Sequence, residues 1–292
     1  MIRFFNVWDV AVDGVSHHMT SQKQIALLAF LALENDRRHS RQALLGLLWP
    51  KMGEAEARNN LRVVLAGLRR ALQLTRKGNT ALIGSNRQEV WFQADHAWVD
   101  VVEMARLLTA CDKHSHDDRA TCAACRQRLV EAATLYRGEL LHGFYLSDCL
   151  AFDEWLIMQR ERHHLQIMAV LGELADFAAG QGAAETAVSH RQRQLELDPL
   201  HEEAHRHLLQ LWAQHGQINL ALNHFEQYQQ LLHQALGVAP AANILWLAET
   251  LRVRQTSQPI AAKTQPAEEK TAVSPPPPPG LPHYLTPLAG RT

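Results

Sequence analysis

Gly182 and Gly216 stand 34 residues apart, and each is followed by a helix-forming run in which Ala187-Val188 matches Ala221-Leu222. Pro199 separates the two units. A period of 34 with the order helix, Gly turn, helix, Pro marks a unit of two antiparallel helices that cannot bury its apolar face alone. Such units stack on one another into a superhelix with a concave surface. This repeat constrains the fold more than any other feature, because it makes the C-terminal half all-α. The runs "FDEWLIMQRERHHLQIMAVLGELADFAAGQG", "AAETAVSHRQRQLELDP", "LHEEAHRHLLQLWAQHGQ" and "INLALNHFEQYQQLLHQALG" fit it, with "LVEAATLYRG" before them.

The first hundred residues have another grammar. "IRFFNVWDVAVDGVSHH" (2–18) is β-branched and aromatic, with Asp13-Gly14 as a hairpin turn signal. "SQKQIALLAFLALEN" (21–35) has helical periodicity, with Ser21 placed to cap it. "HSRQALLGLLWP" (39–50) starts from Ser40 and stops at Pro50. A long third helix follows over 55–72, and "TALIGSNRQEVWFQ" (80–93) reads as two strands around the polar turn Ser85–Gln88. Strands, three helices and a hairpin make the order of a winged helix-turn-helix, and the strands ahead of the helices resemble the response-regulator type. The expected fold is mainly α: an α+β winged helix over 1–100, tetratricopeptide-like helical repeats over 101–255, and a polar, Pro-rich linker over 256–292.

The third helix, "EAEARNNLRVVLAGLRRAL" (54–72), carries two opposed faces. Leu61, Val64, Leu65, Leu68 and Leu72 recur at three-and-four spacing, which is one apolar stripe. At 100° per residue, Asn59, Val63, Ala66 and Arg70 then point away, flanked by Arg58, Arg62 and Arg69. The whole chain has a formal net charge of −1, yet residues 37–78 hold ten Lys or Arg against Glu54 and Glu56 alone. Such a local excess draws a polyanion. Arg62 can pair with guanine O6/N7 and Asn59 with adenine N6/N7, while Val63 and Ala66 are short enough to let the backbone enter a major groove. Arg69 and Arg70 suit phosphates. So do Gln22 and Lys23 at the start of the first helix and Arg41 at the start of the second. Arg87 falls at the wing tip. The bland alternative for each is a solvated surface charge.

Three blocks add a resemblance. "ARNNLRVVLAGLRRAL", "LYRGELLHGFYLSDCLAFDEWL" (135–156) and "RQLELDPLHEEAHRHLLQLWAQHGQINLALNHFEQYQQLLHQALGVAP" (193–240) resemble the antibiotic-regulatory-protein type of bacterial transcription regulator. In that type a winged helix precedes a bacterial transcriptional activator domain. The resemblance implies binding of double-stranded DNA, with direct repeats as the arrangement for a second copy; the helical repeats are expected to join neighbouring copies, RNA polymerase or a downstream sensor module. "LPHYLTPLAGRT" is similar to the entry into the ATPase domain of large family members, so the sequence is expected to be the front of a longer protein; no G-x-x-x-x-G-K-[ST] occurs within it. The rival reading is a repeat scaffold that binds protein and not DNA.

Two metal-like motifs stand apart. "CDKHSHDDRATCAAC" (111–125) gathers Cys111, His114, His116, Cys122 and Cys125, a donor set for a structural Zn2+ ion. The alternative is a polar loop with free thiols. "HEEAH" (201–205) spells H-E-x-x-H, which a His-rich chain produces by chance, and no third ligand accompanies it. No nucleophile, base and orienting-group set suggests an enzyme. Trp49, Trp91, Trp155, Trp212 and Trp246 read as packing residues. The N-terminus lacks a secretory signal and the longest apolar run, "IALLAFLAL", has nine residues, so no membrane span and a cytoplasmic location are expected.

Overall fold

The structure, a computed structural model, describes residues 1–12, 15, 16, 19, 21–73, 82–116 and 121–257. The Asp13-Gly14 turn, Arg76, Lys77 and the chain from 258 onward lie outside the described residues.

Three short strands open the chain: β1 (Ile2–Arg3), β2 (Asp9–Val12) and β3 (Val15–Ser16), paired antiparallel in the order β1-β2-β3. Helices α1 (Gln22–Leu33), α2 (Arg41–Leu48) and α3 (Glu54–Gln73) follow. A second antiparallel sheet is made of β4 (His39–Ser40), β5 (Ile83–Ser85) and β6 (Glu89–Phe92), with β6 in the middle. β5 and β6 are the wing. Its turn is closed by Asn86, whose Oδ1 accepts from the Gln88 and Glu89 amides at 2.8 and 2.7 Å. Gly84 faces Trp91 across the pair, close enough that a β-carbon there would stand 2.2 Å from the indole. The Arg38 guanidinium covers the ring at 4.3 Å from its centroid.

The helix caps follow the sequence in one case and not in another. Ser40 Oγ accepts from the Ala43 amide at 3.1 Å, so α2 begins where its capping residue says it should. Ser21 precedes α1 but makes no side-chain cap; only its carbonyl accepts, from Gln24 and Ile25.

The remaining helices are α4 (Asp100–Asp112), α5 (Ala123–Leu135), α6 (Leu150–Gly180), α7 (Ala184–Leu197), α8 (Glu202–Gln214), α9 (Ile218–Leu236) and α10 (Ala242–Ser257). The 34-residue period is structural. Gly182 and Gly216 both adopt left-handed φ, +73° and +75°, and their followers Ala183 and Gln217 donate back to Ala178 and Trp212 in the same way. Ala187 and Ala221 are fully buried at equivalent places on α7 and α9, where larger side chains would hold the helices apart. Trp49 and Trp212 are buried as expected and Trp91 and Trp155 half-buried, but Trp246 is 70% exposed. α10 turns Ile244, Ala248 and Leu251 inward, a three-and-four stripe that leaves Trp246 on the other side.

One continuous core runs from Ile2 to Leu174, through the winged helix and into the first helices behind it; a second, from Leu208 to Leu251, fills the repeats. The junction is built by long-range pairing. The buried Asp100 carboxylate accepts from the Phe4 and Phe5 amides at 2.9–3.0 Å. The 136–149 segment meets the N-terminal strand, with Phe5 bridged to Leu140 and the Leu141 amide donating to the Phe4 carbonyl. Arg160 of α6 ties that segment down by donating to the Leu140, Leu141 and Phe144 carbonyls. On the far side Trp155 stacks edge-on against Phe30 and donates to Glu34 at 2.9 Å.

Candidate nucleic-acid interface

α3 buries Ala57, Leu61, Val64, Leu65, Leu68 and Leu72 against α1 and α2. That stripe decides which residues are left outside. Arg58, Asn59, Arg62, Val63, Ala66 and Arg70 are all exposed, and Arg69 is half-buried. Val63, an apolar side chain in the middle of a basic face, is 61% exposed. Among the described residues the principal neighbours of α3 are α1 and α2.

Between α3, the start of α2 and the wing tip lies an open cleft of about 740 Å3. Arg41, Arg58, Arg62 and Arg87 line it, together with Ser40, Gln42, Asn86 and Gln88. Arg41 is anchored by its backbone amide to the Gln88 carbonyl at 2.8 Å and by Nε to the Asn86 carbonyl at 3.1 Å. Partial burial, and then the positive charges of Arg69 and Arg62, hold Arg41 below the ordinary guanidinium range. The cleft is thus a place where cations crowd one another. Arg69 donates to Ser85 Oγ at 2.5 Å, which links α3 to the wing. Arg58 is paired with Glu54 one turn back on α3. An anion entering this cleft would meet guanidinium donors from three elements, an arrangement suited to phosphate.

The structure does not bring every sequence-predicted residue to this place. Lys23 points into the junction, where its ammonium meets Asp148 at 2.9 Å and donates to the Leu48 carbonyl at 2.8 Å. It holds α1 and α2 to the segment before α6. Gln42, Asn86 and Gln88 join the cleft although sequence reasoning did not select them; the capping Ser40 and the polar wing turn were the signals that pointed there.

The two metal-like motifs part company. His114, His116, Cys122 and Cys125 converge, with one ligand atom from each lying within 4.8 Å of the others. Cys111 is not among the four; its Sγ donates to the Cys125 carbonyl at 3.7 Å. In "HEEAH" the imidazoles are spent on structure. His201 caps α8 by accepting from the Ala204 amide at 3.2 Å. His205 is buried, stacked on Tyr228 and bonded to His224 and the Pro199 carbonyl, both at 2.9 Å. No described helix is long and apolar enough to cross a membrane.

A winged helix with an open basic face, its core continued into stacked helical hairpins, defines a class of regulator. The chain belongs to the bacterial transcriptional activator domain family, whose model matches residues 99–252, more than half its length. The antibiotic-regulatory-protein resemblance stands with it. Among solved structures the chain is similar to Mycobacterium tuberculosis EmbR in complex with a low affinity phosphopeptide, at 19% identity and a TM-score of 0.61. That match covers 89% of this chain and 65% of EmbR, so the chain spans just under two thirds of that protein, and it supports the fold. The assembly chaperone of RpL4, Acl4, aligns at 16% identity over 80% of this chain and 89% of its own with a TM-score of 0.24, too low to bear on either fold or function. No curated protein sequence matches the chain.

Proposed function

We propose that the chain regulates transcription by binding duplex DNA through α3 and the wing. α3 enters the major groove with Arg62 and Asn59 at base edges and Val63 and Ala66 against the bases. Arg41, Arg58, Arg69 and Arg70 take phosphates, and Arg87 at the wing tip reaches the adjacent backbone or minor groove. One observation carries the reading: the arginine face of α3, exposed among the described residues, continues into a cleft lined by arginines from α2 and the wing. The helical repeats supply the protein contacts, to RNA polymerase or to a second copy on a direct repeat. Two bound copies would place their half-sites about one helical turn, ~34–36 Å, apart.

A salt titration of duplex binding tests this. Each phosphate neutralised contributes a slope of about −0.9 in log K against log salt. Arg70→Ala is expected to flatten the slope by roughly one such contact and to weaken all sequences alike. Arg62→Ala should cost ~1–3 kcal/mol on selected sequences and relax the preference at one position. Binding that is insensitive to salt, or an Arg62→Ala chain selecting the same sequences as tightly, would overturn the proposal.

A further inference from the structure

We infer that His114, His116, Cys122 and Cys125 hold one structural Zn2+ ion where α4 ends and α5 begins. His114 Nδ1 lies 3.3 Å from Cys125 Sγ and 3.5 Å from Cys122 Sγ, and His116 Nδ1 lies 3.9 Å from Cys125 Sγ. A tetrahedral ion with bonds of ~2.3 Å to sulfur and ~2.0–2.1 Å to nitrogen sets neighbouring ligands roughly 3.3–3.8 Å apart. Three of the donor pairs stand at or close to that spacing, and all four donor atoms fall within 4.8 Å of one another, so a small contraction completes the shell. Among the described residues no other group of three or more His, Cys, Asp or Glu converges in this way.

The chemistry of the donors selects the metal. Two sulfurs and two imidazoles suit zinc, whereas calcium and magnesium require oxygen. Cys122 is the N-cap of α5 and Cys125 lies one turn further on, so the start of α5 sets both sulfurs side by side. Binding expels two thiol protons, and the two thiolates then neutralise the ion. All four positions come from the protein, which leaves no place for substrate; the ion is structural.

Its consequence follows from what lies behind it. Cys125 and Cys111 belong to the core shared with the winged helix. An ion at this point ties the turn between α4 and α5 to that core.

Metal analysis of the full chain, purified without chelator, tests the inference. One zinc per chain is expected, with loss of stoichiometric zinc in both Cys122→Ser and His114→Ala and full retention in the exposed-surface control His142→Ala. Titration of the unaltered, metal-free chain with cobalt(II) gives a second readout that needs no variant to fold. It should show the intense visible bands of a tetrahedral ion and thiolate-to-cobalt charge transfer. A zinc-free wild-type chain, ligand variants that keep wild-type zinc, or the weak spectrum of six-coordinate cobalt would each overturn it.

Discussion

His163 shows how much a single side chain on α6 reports about the junction. It is buried, its ring meets Phe5 of the N-terminal strand edge-on at 5.7 Å, and its Nδ1 pairs with Gln166. Burial pushes its pKa down to about 4, with the neighbouring Arg162 adding to the effect. Above pH 6.5 the ring is neutral folded or unfolded and contributes no pH dependence. As pH falls from 6.5 towards 4 the unfolded chain takes up a proton that the folded one refuses, so stability drops across that window and levels below it. The shift corresponds to about 3 kcal/mol at its limit. Urea unfolding at a series of pH values should show this loss, and His163→Gln should remove its share of the slope; an unchanged slope would mean that the ring titrates normally. Residue-level features of this kind are legible in sequence only when their cause is local. Ser40 as a cap and the two repeat glycines were, because each answers to its immediate neighbours. Lys23 was not. Its partner Asp148 is distant in sequence, so a residue that reads as a phosphate contact becomes a strut between domains.

At the scale of elements the sequence was most informative where periodicity was strong. α3 runs from Glu54 to Gln73, one residue past each end of the expected 55–72, because five apolar residues at three-and-four spacing leave little freedom in which face is buried. The strands are shorter than the β-rich stretches that contain them, since two to four residues suffice to pair here and tertiary contacts set where they stop. The wing depends on a feature that no periodicity reveals, the close approach of Gly84 to Trp91. Gly84→Ala puts a methyl group into the indole and must displace either the ring or β5. The expected outcome is a distorted wing and weaker duplex binding at unchanged net charge, with the helical content by circular dichroism preserved. Wild-type affinity in that variant would separate the wing from DNA recognition.

The whole molecule is organised by one fact that the sequence did not disclose. The core of the winged helix does not end at its boundary; it continues through Asp100, the 136–149 segment and α6 as far as Leu174. Pairings such as Phe5 with Leu140 join residues far apart in the chain, and nothing in either local sequence announces the other. The consequence is mechanical. α4 and α6 pack on α1 and α2, while Arg58, Asn59, Arg62, Val63, Ala66 and Arg70 on the outer face of α3 are exposed among the described residues. The proposed DNA recognition rests on that exposed face. Its most direct test is a photo-crosslinking amino acid introduced in place of Val63, irradiated with duplexes selected by the wild-type chain from a random pool, with the same group at Trp246 as comparison. Crosslinks to bases at one position of the selected site are expected from residue 63 and none from residue 246. Crosslinks to DNA from 246 with none from 63 would contradict it.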